Sequence, residues 1–137
     1  MMRRTHQRKG TTVVECAIVF PVLFLLVLGV IIGSLGVFRY QEVASLAREA
    51  SRWASVHGAT YEFYSGKKAA KAADVYDNVI RPKLVALDPK KLTYKVTWDP
   101  DNRQGSKVTV SIDYNWAPEA FLGSIKLSST STTLMSY

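Results

Sequence analysis

The chain has one cysteine, two histidines and a stretch of 23 residues, Cys16 to Phe38, without a formal charge. Cys16 has no second cysteine to pair with, so any outer domain folds without an internal disulfide. His6 and His57 stand on opposite sides of the uncharged stretch and cannot share a metal ion. With the only cysteine at the edge of that stretch, no Cys/His or Ser/His/Asp arrangement suggests nucleophilic catalysis. The sequence therefore leads us to expect no enzyme, no cofactor and no metal. Internal repeats, low-complexity segments and long linkers are also missing. At 137 residues there is room for one domain and an anchor.

Hydrophobic residues make up 47% of the chain and are unevenly spread. Sixteen of the residues between Ile18 and Phe38 are Leu, Ile, Val or Phe. A 23-residue helix is about 34 Å long, enough to cross a hydrocarbon layer of roughly 30 Å. Each such side chain favours insertion by roughly 0.3 to 0.6 kcal/mol near the helix centre, so the run reads as a transmembrane helix. Acid is missing from Met1–Gly10, which carries Arg3, Arg4, Arg8 and Lys9, whereas Arg39-Tyr40-Gln41-Glu42 mixes signs. Basic flanks stay in the cytoplasm, which predicts an N-terminus inside and residues 39–137 outside. Setting aside those four leader cations leaves 14 basic against 11 acidic residues, a net +3 in place of the whole-chain +7. No basic patch interleaved with aromatics stands out beyond the leader, and nucleic acid is not an expected partner.

Past the membrane, Val43, Leu46, Ala47, Ala50, Trp53 and Ala54 recur at helical spacing and predict one helix from Thr11 to about His57, with Gly58 at its end. Pro21 lies inside it, removes a backbone hydrogen bond and predicts a kink. Ala59 to Gly66 reads as aromatic-rich and irregular, and Lys67 to about Leu87 as a helix interrupted by Pro82. The period then changes to two. Leu92, Tyr94, Val96 and Trp98, then Val108, Val110, Ile112 and Tyr114, predict a hairpin around the turn Asp99–Gly105. Ile125 to about Met135 predicts a third strand. The resulting class is α+β, a long N-terminal helix feeding helices packed on a three-stranded antiparallel sheet, with the helix's apolar stripe covering the sheet.

The junction Lys9-Gly10-Thr11-Thr12-Val13-Val14-Glu15 adds chemistry. A carboxylate entering lipid alone costs on the order of a few kcal/mol. Cleavage after Gly10 would create an α-amine on Thr11 able to neutralise Glu15 of a neighbouring subunit. Equally open is the plainer reading, in which Glu15 profits from its place near a helix N-terminus.

Glycine, a glutamate five residues later and a long apolar helix resemble the class III signal sequences of type IV pilins. More closely, RKGTTVVECAIVFPVLFLLVLGVI resembles the TadE-like pseudopilins of tight-adherence (Flp) pilus systems, through Gly10, Val14, Glu15, Pro21 and Gly29. Arg48–Ala54 is similar to that family's Ala/Arg-rich helix, and Val108–Ile112 with Ser129–Tyr137 to its terminal strands. Cys16 stands where the family usually has a bulky apolar residue. Ile32-Gly33 stands where many members carry an acid, so contacts depending on that acid are not expected.

The resemblance implies a bacterial cytoplasmic-membrane protein whose basic leader, residues 1–10, is removed by a prepilin peptidase between Gly10 and Thr11. It also implies a transmembrane helix over 11–38 and a pilin-like domain over 39–137. Glu15 would guide assembly with other pilin-like subunits and inner-membrane platform proteins. Two competing expectations stand beside it. One is a signal-anchored binding module or adhesin that is never cut at Gly10. The other is a secreted protein cleaved after Ser34-Leu35-Gly36, although the apolar run is longer than a usual signal core.

Three remaining features read as structural. Asp99, Asp101 and Asn102 before Gly105 are ordinary hairpin chemistry and lack the later acid of a calcium loop. Lys67, Lys68, Lys71, Lys90 and Lys91 read as a solvated face, with contact to anionic surface polymers as the alternative. Tyr61, Phe63, Tyr64, Trp98 and Trp116 read chiefly as core or lid packing.

Overall fold

The computed structural model describes residues 9–118 and 123–136. Most of the basic leader, including His6, lies outside them. The chain divides into two units, one ending at Leu35 and one beginning at Gly36. Helix α1, Lys9–Ser55, contributes to both and carries Pro21 in its interior.

In the first unit α1 exposes apolar side chains all around its circumference. Phe20, Leu23, Phe24 and Leu26 are each more than half exposed. A helix that is apolar on every side requires an apolar surround. This is the one helix among the described residues long and apolar enough to cross a membrane.

In the second unit the same helix becomes amphipathic. Val43, Leu46, Ala47, Ala50, Ser51 and Ala54 are buried. They pack over a meander of β1 (Leu92–Asp99), β2 (Lys107–Trp116) and β3 (Ile125–Leu134), in that spatial order and antiparallel throughout. Central strand β2 alternates strictly, burying Val108, Val110, Ile112, Tyr114 and Trp116. The register sets Val110 between Val96 and Ser131, and Ile112 between Tyr94 and Ser129. β3 meets the helix through hydroxyls, since Ser51 Oγ lies 2.8 Å from Ser131 Oγ and accepts from Thr133 Oγ1 at 3.0 Å. Its outer face is a hydroxyl ladder, with Thr109 to Thr132 at 3.0 Å and Ser111 to Thr130 at 2.9 Å.

The small residues of α1 let this packing close. At Gly36 an added Cβ would fall 2.7 Å from the Trp116 ring, a ring that is itself buried. This gives a structural reason for one of the small residues in the Ser34-Leu35-Gly36 run. Gly36→Val should lower the stability of the second unit by about 1–3 kcal/mol through overpacking. Thermal unfolding followed at Trp fluorescence checks this, and an unchanged midpoint would contradict the contact.

Two sequence expectations need correction. Ala59–Ser65 is a short helix, α2, where the sequence suggested irregular chain. Gly66 closes it in the left-handed conformation at φ 69°, donating its N–H to the Glu62 carbonyl. The expected helix over Lys67–Leu87 is much shorter. Asp74 Oδ2 accepts from the Lys71 N–H at 2.8 Å and starts α3 only at Ala72 (Ala72–Val75). A π turn, Tyr76–Ile80, and a 3-10 turn, Arg81–Lys83, then carry the chain past Pro82. Pro82 has no N–H for the turn before it. Lys67–Lys71 is left non-helical beside α1.

Candidate assembly site

Every residue proposed from the sequence for processing or assembly lies on the first turns of α1. Gly10 is already helical and exposed. Among the described residues the helix already includes Lys9 and Gly10, ahead of the expected Thr11. Glu15 is exposed, one helical turn after Thr11 on the same face. Val13, Val14 and Ile18 around it are exposed as well, at 69%, 62% and 65%. A carboxylate is thus set among apolar side chains. Pro21 follows six residues later, among the exposed side chains of Phe20, Leu23, Phe24 and Val27. Cys16 is a free, half-buried thiol.

In the second unit Arg39, the first charge after the apolar run, acts as a hub. Its Nη1 donates to the Ala86 carbonyl at 3.1 Å and to the Tyr114 hydroxyl at 3.4 Å, and its guanidinium lies 5.8 Å from the Trp116 ring centroid. Glu42 Oε1 accepts the Ala86 N–H at 3.3 Å, so Arg39 and Glu42 grip both sides of one residue. The loop after Pro82 is thereby tied to α1 and β2. Sequence reasoning treated Arg39 only as a membrane flank, because its partners lie 47 and 75 residues away.

The aromatic set divides. Trp116 is buried, while Phe63 and Tyr64 are 84% and 76% exposed, in edge-to-face contact on α2. Asp101 spends its carboxylate inside the hairpin loop, accepting from Ser106 Oγ at 2.7 Å and from the Arg103 N–H at 3.2 Å. Among the described residues no group of three or more His, Cys, Asp or Glu side chains is placed to hold a metal.

On the outer sheet face Asp113 accepts from Ser128 Oγ at 2.5 Å and pairs with Lys126 Nζ at 3.0 Å. The Ser128 hydrogen bond, then the Lys126 ammonium, hold its carboxyl below the ordinary value. A depressed carboxyl adds stability that is complete above the unfolded pKa, near ~3.9, and is lost as pH falls through the folded one. The stability difference between wild type and Asp113→Asn should thus be small and positive at neutral pH and shrink below about pH 4. Denaturant titrations at several pH values read this directly, and a difference that grows on acidification would contradict it.

These features define a class: a chain with one lipid-compatible N-terminal helix continuing into a small α+β domain over a three-stranded meander. Residues 10–52 match the family model described as TadE-like protein. The matched stretch spans the junction, the apolar run and the helix leading into the domain, and holds Gly10, Val14, Glu15 and Pro21, the residues that carry the resemblance. This match associates the segment with tight-adherence pilus systems. No curated protein and no solved structure matches the chain.

Proposed function

We propose that the protein is a minor, pilin-like subunit that acts in assembly of a tight-adherence pilus or a related secretion machine, and has no catalytic role. The observation that carries this reading is the position of the family match, which begins at Gly10 and runs across Glu15 into the apolar helix. In this reading a prepilin peptidase cuts between Gly10 and Thr11. The new α-amine and Glu15 of an adjacent subunit then neutralise each other at the membrane boundary, setting the stagger between helices. The N-terminus faces the cytoplasm, the apolar run of α1 is held in the cytoplasmic membrane, and the domain lies outside.

The test is fractionation of producing cells into sheared filaments and membranes, with cross-linking before lysis. Recovery of the chain cross-linked to pilin-like subunits or inner-membrane platform proteins supports the proposal. Recovery only as an uncross-linked membrane protein supports the signal-anchored module instead.

A further inference from the structure

We propose that the second unit carries a binding site for a carboxylated polysaccharide, a uronate-bearing glycan, in the groove between the end of α1 and the strap 67–71. This goes beyond the assembly role and needs only that the domain lie outside the membrane.

The floor is aromatic. Trp53 and His57 stack with ring centroids 4.0 Å apart and planes 14° from parallel, and Tyr61 leans on His57 at 4.7 Å. His57 is held by its Nδ1 at 2.8 Å from the Trp53 carbonyl oxygen, so the stack is built rather than loose. All three rings are half-buried and line a groove of about 520 Å³.

The rim is cationic. Lys67, Lys68 and Lys71 line the same groove, and their side chains enter none of the ion pairs found among the described residues. They are solvent-exposed, as the sequence suggests, but stand on a non-helical strap and not on a helix. Their strap is pinned where it passes the rings. The Ala70 N–H donates to the His57 carbonyl at 2.8 Å, the Ala70 carbonyl accepts from Asn102 Nδ2 at 3.2 Å, and the Ala69 N–H donates to Glu62 Oε2 at 3.0 Å. The lining holds one carboxylate, Asp74, which accepts from the Lys71 N–H through Oδ2 and stands against three lysines. A second groove of about 590 Å³ shares Trp53 and Asn78 with the first and adds Arg48 and Arg52 beside the Glu49–Lys83 ion pair.

A ring platform framed by ammonium groups suits a sugar ring carrying carboxylates. Apolar sugar C–H bonds lie on the aromatic floor while the acid groups meet lysines as point charges. Trp53 and His57 cover one another and so present one platform. A nucleic acid strand calls for several separate stacking surfaces for successive bases. The concave, ring-floored groove also differs from a flat basic patch that would meet anionic headgroups.

The test uses the full chain in phosphatidylcholine nanodiscs, titrated calorimetrically with a uronate hexasaccharide at low salt. Binding is expected, weakening on salt addition, with a neutral dextran hexasaccharide binding at least tenfold more weakly. Lys67→Ala/Lys68→Ala/Lys71→Ala, all at exposed positions, should reduce uronate affinity about tenfold through the loss of three exposed charge contacts. Tyr61→Ala should reduce it severalfold with an unchanged circular dichroism spectrum. Undiminished binding by the triple-lysine variant, or equal binding of dextran, would overturn the proposal. So would tighter binding of oligothymidine, or preferential binding to phosphatidylglycerol vesicles, each naming a different ligand class.

Discussion

Glu15→Ala should leave the chain in the membrane with its outer domain folded and yet cut its recovery in the filament and platform fractions by at least tenfold. The position is exposed and lies in the unit that ends at Leu35, while the buried side chains of the domain begin at Val43. A lost carboxylate there leaves the domain's core packing intact. On the proposed reading, what changes is the partner for the α-amine that cleavage would create on Thr11. Truncating one member of a desolvated charge pair costs about 2–5 kcal/mol, or more than tenfold in association. The plainer reading of Glu15, a favourable charge near a helix N-terminus, is worth only about 0.3–1 kcal/mol, less than about fivefold. The size of the defect thus separates the two readings left open by the sequence. Glu15→Gln refines the test, since it keeps shape and removes charge. If Glu15→Gln assembles normally, charge neutralisation is not the role of this residue.

Ile112→Ala should unfold the outer domain more readily than any surface change, by about 2–5 kcal/mol. Ile112 is fully buried on central strand β2, opposite Tyr94 on one side and Ser129 on the other. Strands on both flanks restrict how far the sheet can collapse into the space left. For a domain of this size that loss corresponds to a fall in melting temperature of roughly 10 °C or more. Val85→Ala is the matched control. Val85 is 91% exposed, and its truncation should cost no more than about 0.5 kcal/mol. Thermal unfolding of the two variants should separate them clearly, and equal midpoints would show that β2 is not the centre of the core.

The parts of the fold legible in the sequence are those with long, regular periods. The uncharged run from Cys16 and the apolar stripe from Val43 to Ala54 both announced α1, and the alternation in β2 announced its buried face. The parts that were not legible depend on single side chains acting on distant backbone. The Lys67–Leu87 region has helical composition, but the Asp74 carboxylate starts the helix late and Pro82 disrupts it early. Glu62 and Asn102 hold the lysine strap through groups 7 and 32 residues away. β3 is mainly Ser and Thr, and its face toward α1 is stabilised by Ser51 on another element. In the candidate site, Gly10, Glu15 and Pro21 could be proposed from the sequence because they lie within one short stretch. The Arg39 hub and the ring-floored groove could not, because folding assembles them from separate segments.

The most direct test of the account is the N-terminus and intact mass of the chain isolated from native membranes, measured beside a Gly10→Val variant. The account predicts a mature protein beginning at Thr11, and an uncut chain in the variant. A wild-type chain still beginning at Met1 or Met2 would contradict processing and leave a signal-anchored module. A start near Val37 would contradict it more deeply, since Gly10, Glu15 and the apolar run would all have been removed.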